Sequence, residues 1–223
     1  MAEKLYKCKT RHANLARYHL NLLEEVYATG RVDKNVKGPN DQPASNEWVF
    51  LCDCKDLSLQ CTLFSAFAIE AEGVVLMEVT AKDLLPEAHQ RYAFRDRYMR
   101  NGRTRRWMDI RCCLEEYLPK VGATFPNFRQ EDGTDELQDL MAQRNGYAHG
   151  KPRQDRDSPT YWHLDPLVVQ EKCPSDWQSL TEEYLRTARE HYKIAERVFL
   201  AYDDFWQRYG AKYPGGPAFV RRH

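Results

Sequence analysis

The feature that most limits what this chain can fold into is a long helical stripe near its C-terminus. Trp177, Leu180, Tyr184, Ala188, Ala195, Val198, Tyr202, Phe205 and Tyr209 recur at the spacing of one helix face. Pro174-Ser175-Asp176-Trp177-Gln178 precedes the stripe, and Ser175 with Gln178 reads as a capping box at its start. Unbroken, such a helix spans ~50 Å at ~1.5 Å per residue. A helix of that length flanks a bundle or reaches a partner, and it points to an all-α chain.

Other segments agree. Leu15, Tyr18, Leu22 and Val26 predict a helix over about 10–28, with Gly30 as its stop. Residues 30–46 carry Gly, Pro, Asn and Asp and read as a loop. Trp48-Val49-Phe50-Leu51 is either a strand or the anchor of a helix start. Asp56 or Ser58 is expected to cap the most apolar helix of the chain, running to about Val79. On it Leu63, Phe67, Glu70, Val74 and Met77 form one row, and Phe64, Ala68, Ala71 and Val75 a second, so the helix is central. Glu70 is the exception on that stripe. Its carboxylate either meets a cation or reaches water at the edge of the stripe.

From Thr80 to Ile110 the chain is expected to be helical in part, broken at Asn101-Gly102. The region is rich in arginine interleaved with Tyr92, Phe94, Tyr98 and Trp107. It suits either phosphate and base contacts or a solvated helix face with Asp83, Glu87, Asp96 and Asp109 as partners. Acids are absent from Gly102-Arg103-Thr104-Arg105-Arg106, which favours the first use there. Trp107–Leu118 continues as helix, stopped by Pro119, and 121–132 is a loop. Residues 1–223 read as one helical domain, with 1–50 as an accessory helix and loop and 210–223 as a flexible tail.

Lys plus Arg and Asp plus Glu both number 33, so no global field draws a polyanion, and any nucleic-acid contact must come from a local patch. No window of about 18 uncharged apolar residues is present, so no membrane span is expected. Met-Ala-Glu-Lys-Leu-Tyr-Lys lacks the apolar core of a signal peptide. The seven cysteines, Cys52-Asp53-Cys54 and Cys112-Cys113 among them, do not have zinc-finger spacing. They read as buried thiols in a reducing cytoplasm, and no metal or cofactor is expected.

The stretch that packing explains least is Arg144-Asn145-Gly146-Tyr147-Ala148-His149. Thr134 is expected to cap the helix that carries it, with Asp135 and Glu136 in the first turn. Leu137, Leu140, Met141, Arg144 and Ala148 then share one stripe, which puts an arginine at a core-facing position. Gly150 and Pro152 end the helix and leave His149 in its last turn. Arg144 can hold a phosphate by two bonds. His149 can exchange a proton near neutral pH, and Asn145 lies one turn before it and can orient its ring. These types suit metal-free RNA cleavage, in which a 2′-hydroxyl attacks the adjacent phosphorus. In regular helix, however, Arg144 and His149 lie ~140° apart around the axis. A tight site then needs an unwound helix end or two copies at a two-fold axis.

Arg144-Asn145-x-x-x-His149 resembles the Arg-polar-x(3)-His signature of the HEPN family. Ser65-Ala66-Phe67-Ala68-Ile69-Glu70-Ala71 resembles the earlier helix of that family, which bears an acidic residue in an apolar context. The resemblance covers about 57–79 and 134–152, extends to 177–205, and does not reach 1–50. It implies an antiparallel helical bundle with an N-terminal helical extension and a long C-terminal helix. It also implies a metal-independent endoribonuclease, dimeric, of the kind found in toxin–antitoxin pairs and phage defence. Arg144 and His149 would be the catalytic pair, with Asn145 beside them and Glu70 and Tyr147 in support. Glu70 is expected to pair with Arg144. Arg103, Arg105, Arg106, Lys151 and Arg153 are the expected RNA contacts, and an antitoxin or regulatory protein is a further expected partner.

Two other readings fit the same residues. One is a non-catalytic HEPN-like module that binds protein, nucleotide or RNA. The other is a helical nucleic-acid binder that uses the Arg91–Arg111 region alone.

Overall fold

The first helix of the computed structural model stops where a glycine takes a conformation that other residues avoid. Gly30 has φ +61° and its N–H donates to the Val26 carbonyl at 2.9 Å, which ends helix α1 (Ala2–Thr29) at the expected place. The structure describes residues 2–30, 45–84, 99–100, 103–104, 115, 118–119, 122–149 and 173–212. Their side chains are described over 11–30, 45–73, 115, 118–119, 122–147 and 173–209. Among the described residues the chain is all-α, with four helices: α1, α2 (Asn46–Leu84), α3 (Glu136–His149) and α4 (Trp177–Lys212). No helix among them is long and apolar enough to cross a membrane. Two two-residue strands, β1 (Met99–Arg100) and β2 (Arg103–Thr104), pair antiparallel with Met99 opposite Thr104 and Arg100 opposite Arg103. The expected helix break at Asn101-Gly102 thus falls between paired strands. Asn-Gly between two short strands is the strongest local signal for such a pair.

Helix α2 starts earlier than expected. Ser45 Oγ accepts the Trp48 N–H at 3.2 Å and caps it, so Trp48–Leu51 is its first turn and a half and not a strand. Asp56 and Ser58 are interior residues, not caps. Pro119 does not end the preceding helix either, since it is itself helical. The end is made by Gly122 (φ +83°), which donates to the Pro119 carbonyl at 3.0 Å while Ala123 donates to that of Leu118 at 3.0 Å. That pair of bonds is a Schellman motif. Helix α4 has Asp176 in the N-cap position, its carbonyl accepting the Leu180 N–H at 3.1 Å.

The chain groups into two compact units. One comprises 14–65 and 137–193. There, α1 runs antiparallel to α2, as the ring pairs Tyr27–Phe50 (6.3 Å) and His19–Phe64 (5.3 Å) show by their reversed order. α2 and α4 run parallel, a departure from a wholly antiparallel bundle. Ser58 Oγ donates to the Tyr184 carbonyl (2.8 Å), Cys61 Sγ to that of Ala188 (3.7 Å), and Thr62 Oγ1 bonds His191 Nδ1 (2.8 Å), the numbers rising together. The core of this unit gathers Leu20, Leu23, Val26, Cys54, Cys61, Leu185 and Ala188. Tyr18, expected on the α1 stripe, is 58% exposed, and Ala16, Leu20, Leu23 and Val26 form the buried row instead.

The other unit comprises 1–13, 66–136 and 194–223. Tyr202, Phe205, Trp206 and Tyr209 of α4 pack ring on ring, with Phe205 and Tyr209 stacked at 5.6 Å. The Tyr202 hydroxyl donates to the Glu72 carbonyl. Among the described residues of this unit the Glu72 side chain is fully shut off from water, while Glu70 is only half-buried. The expected apolar row through Leu63, Phe67 and Glu70 is half-exposed. The buried face of α2 runs instead through Ser58, Cys61, Thr62, Ser65, Ala68, Ile69 and Glu72. Ser58 and Cys61 can lie inside because α4 carbonyls accept from their side chains, and Thr62 because it meets the His191 ring.

Candidate functional site

The motif helix is entered through a turn built on side chains. Asp132 Oδ1 accepts both the backbone N–H (2.9 Å) and the hydroxyl (2.7 Å) of Thr134, and Gly133 takes φ +82°. Thr134 therefore shapes the turn and is not the cap of α3. These bonds hold the Asp132 carboxyl below its ordinary range. The Glu136 N–H donates to the Phe128 carbonyl at 3.0 Å. The Glu136 carboxylate accepts from Gln130 Nε2 (3.0 Å) and Arg197 Nη1 (2.6 Å). Arg197 also reaches the Asn127 carbonyl and lies 4.4 Å from the centre of the Phe128 ring. One α4 side chain thus fixes the turn that launches α3.

Along α3 the first part of the expected stripe is observed, while Ala148 has its side chain outside the described residues. Leu137, Leu140 and Met141 are buried, and Arg144 follows them half-buried with Nε shut off from solvent. Burial pulls the guanidinium below its ordinary value, yet an arginine so placed stays charged. Tyr147, three residues on, continues the face. Its hydroxyl is shielded from water, and burial first, then the nearby Tyr184, pushes the phenol far up. Asn145 is half-buried. The backbone of α3 is helical as far as His149, the last described residue of this segment. The His149 side chain lies outside the described residues.

The remaining expected site residues fall in different units or outside the described residues. Glu70 belongs to the unit of 66–136 and Arg144 to that of 137–193. Arg103 lies in β2, with its side chain outside the described residues. Arg105, Arg106, Lys151 and Arg153 also lie outside the described residues. Among the described residues no group of three or more His, Cys, Asp or Glu side chains is arranged to hold a metal ion.

Two features were not anticipated from the sequence. Thr62 and His191 form a buried pair, and burial drives the imidazole down to about 4, so it is neutral in the folded chain. A histidine between Ala188 and Ala195 on the α4 stripe was the available signal. Tyr184 is the second. Its carbonyl accepts the Ser58 hydroxyl, and its phenol is pushed up to about 12, first by burial and then by Glu183 and its neighbours. The thiols of Cys54 and Cys61 are likewise pushed up to about 12 by burial, which makes them structural rather than reactive. No known protein family, no curated protein and no solved structure matches the chain.

Proposed function

We propose that this chain is a HEPN-like endoribonuclease that cleaves RNA without a metal and acts as a homodimer. The observation that carries the reading is the unbroken course of α3 from Glu136 to His149, with a half-buried Arg144 following Leu137, Leu140 and Met141. A helix with no unwound turn keeps Arg144 and His149 ~140° apart. Of the two ways to bring them onto one phosphate, the shared cleft of a dimer is the one compatible with that helix. His149 serves as general base and acid, Arg144 holds the scissile phosphate, and Asn145 orients the imidazole. Arg103, Arg105, Arg106, Lys151 and Arg153 supply the backbone contacts to RNA. The enzyme works in the cytoplasm, restrained by an antitoxin or regulatory protein.

The test is cleavage of RNA by the purified chain and by His149→Ala. The expected products carry a 2′,3′-cyclic phosphate and a 5′-hydroxyl, form in the presence of EDTA, and are absent with the variant. Equal behaviour of the two proteins, both folded, favours the rival reading, a non-catalytic helical module. The half-buried position of Arg144 supports that rival, because a cation there also serves packing.

A further inference from the structure

The three side-chain bonds that join α2 to α4 in the unit of 14–65 and 137–193 are not equivalent. Ser58 Oγ donates to the Tyr184 carbonyl at 2.8 Å, and Cys61 Sγ to the Ala188 carbonyl at 3.7 Å. A helix carries a carbonyl at every residue, and the next one on the same side stands one turn, ~5.4 Å, along the axis. Those two bonds therefore recognise a helix backbone and not a particular turn of it. At the third, Thr62 Oγ1 meets His191 Nδ1 at 2.8 Å, and both partners are side chains. Of the three, only this bond depends on which residue α4 presents.

Packing at the seam adds little to the choice. Ser58, Cys61, Thr62 and Ser65 are fully buried on α2 and all are small, and Ala188 packs in the same cluster as Cys61. Rows of small side chains make shallow ridges and grooves, which discriminate weakly between one turn of a neighbouring helix and the next. A slip of α4 by one turn keeps carbonyls within reach of Ser58 and Cys61. It brings Ala188 or Ala195 to the place of His191, and neither has a polar side chain for Thr62. The slipped pair then loses a hydrogen bond between two buried groups.

We infer that the Thr62–His191 contact is the register lock of the parallel α2–α4 pair. It selects which turn of α4 stands against which turn of α2, while the bonds to carbonyls hold the helices together without selecting. A buried polar pair serves this purpose where apolar contacts leave the register of two helices open. The lock is independent of the endoribonuclease reading.

A distance between two spin labels in the full chain reads the register directly. The labels are carried on encoded keto residues at Glu47 of α2 and Lys193 of α4, both exposed, which leaves the native cysteines untouched. Glu47 precedes Ser58, and Lys193 follows its partner Tyr184, by enough turns to place the labels about 30 Å apart along the seam, and a one-turn slip changes their separation by about 5 Å. Wild type and Thr62→Ser, which keeps the hydroxyl, are expected to give one narrow distance. Thr62→Val and His191→Leu are expected to add a second distance displaced by about 5 Å, with helical circular dichroism retained. Ser58→Ala and Cys61→Ala each remove a bond to a carbonyl and are expected to keep the single wild-type distance. An unshifted single distance in folded Thr62→Val and His191→Leu overturns the inference, and so does a shifted one in Ser58→Ala or Cys61→Ala. Should His191→Leu fail to fold, Thr62→Val decides, because valine fills the space of threonine without its hydroxyl.

Discussion

Thr62 Oγ1 on α2 lies 2.8 Å from His191 Nδ1 on α4, and both side chains are buried. The contact is one step in a polar seam that also contains Ser58 and Cys61, and it closes the seam with a group that titrates. In water an imidazole ionises near pH 6.5, and here burial lowers that to about 4. Between those values an unfolded chain takes up a proton that the folded chain refuses. Stability is therefore complete above about pH 6.5 and is lost as the pH falls towards 4, by roughly 3 kcal/mol in all for this residue. Denaturant titrations at pH 7.5, 5.5 and 4.5 should show that decline, and His191→Gln should flatten it. A decline of the same size in the variant would assign it to other groups.

Thr62→Val tests the other half of the pair. Valine fills the same space but leaves a buried imidazole nitrogen without its partner, at a cost of ~1–3 kcal/mol. Urea unfolding at neutral pH measures it. A loss below about 0.5 kcal/mol would mean that His191 finds another bond.

The cysteines should separate by reactivity. Cys54 and Cys61 hold their protons up to about pH 12 and are buried, so iodoacetamide at pH 8 should leave both unmodified in the folded chain. Both should label fully in denaturant. Peptide mass spectrometry reads the sites, and rapid native labelling of Cys61 would show that the α2–α4 seam opens.

Arg197 and Glu136 are 2.6 Å apart but remain partly exposed, 41% and 29% at their side chains, so the ion pair itself is worth ~0.5–1 kcal/mol. Arg197→Ala also removes the guanidinium from the Phe128 ring and the Asn127 carbonyl. A total loss of about 1–2 kcal/mol is expected, with faster amide exchange at the start of α3. A double-mutant cycle with Glu136→Gln isolates the pair term.

The shared cleft makes a prediction that no one-chain site makes. Arg144→Ala and His149→Ala should each be inactive as homodimers. Mixed, they form heterodimers in which one cleft joins the intact Arg144 of one protomer to the intact His149 of the other. That cleft should recover about half of wild-type activity per heterodimer, by the symmetry of a two-site dimer. A mixture as inactive as its components would place both residues of each site on one chain.

How much could be read from the chain differs from helix to helix. α4 was legible because its apolar residues fall on one side and its charges on the other, and Ala188, Ala195, Val198, Tyr202, Phe205 and Tyr209 are indeed buried. The α3 stripe through Leu137, Leu140 and Met141 was legible for the same reason. α2 was not. Apolar residues surround it, so its pattern has no direction, and the face chosen from Leu63, Phe67 and Glu70 was the half-exposed one. The residues that face inward there, Ser58, Thr62, Ser65 and Glu72, look in isolation like surface residues. The start of α3 misled in another way, because the Thr134 hydroxyl donates to Asp132 Oδ1 within the turn and does not accept from a helix N–H.

The sequence by itself determined the all-α class, the stop of α1 at Gly30, the course of α4, and the place of Arg144 and His149 at the end of α3. Those are local properties, set by period, by glycine conformation and by the chemistry of helix ends. Only the tertiary structure decided which face of α2 is buried and that Thr62 and His191 meet. Polar side chains go inside only when a neighbouring helix brings the matching donor or acceptor within reach, and that match belongs to the pair of helices, not to either one alone.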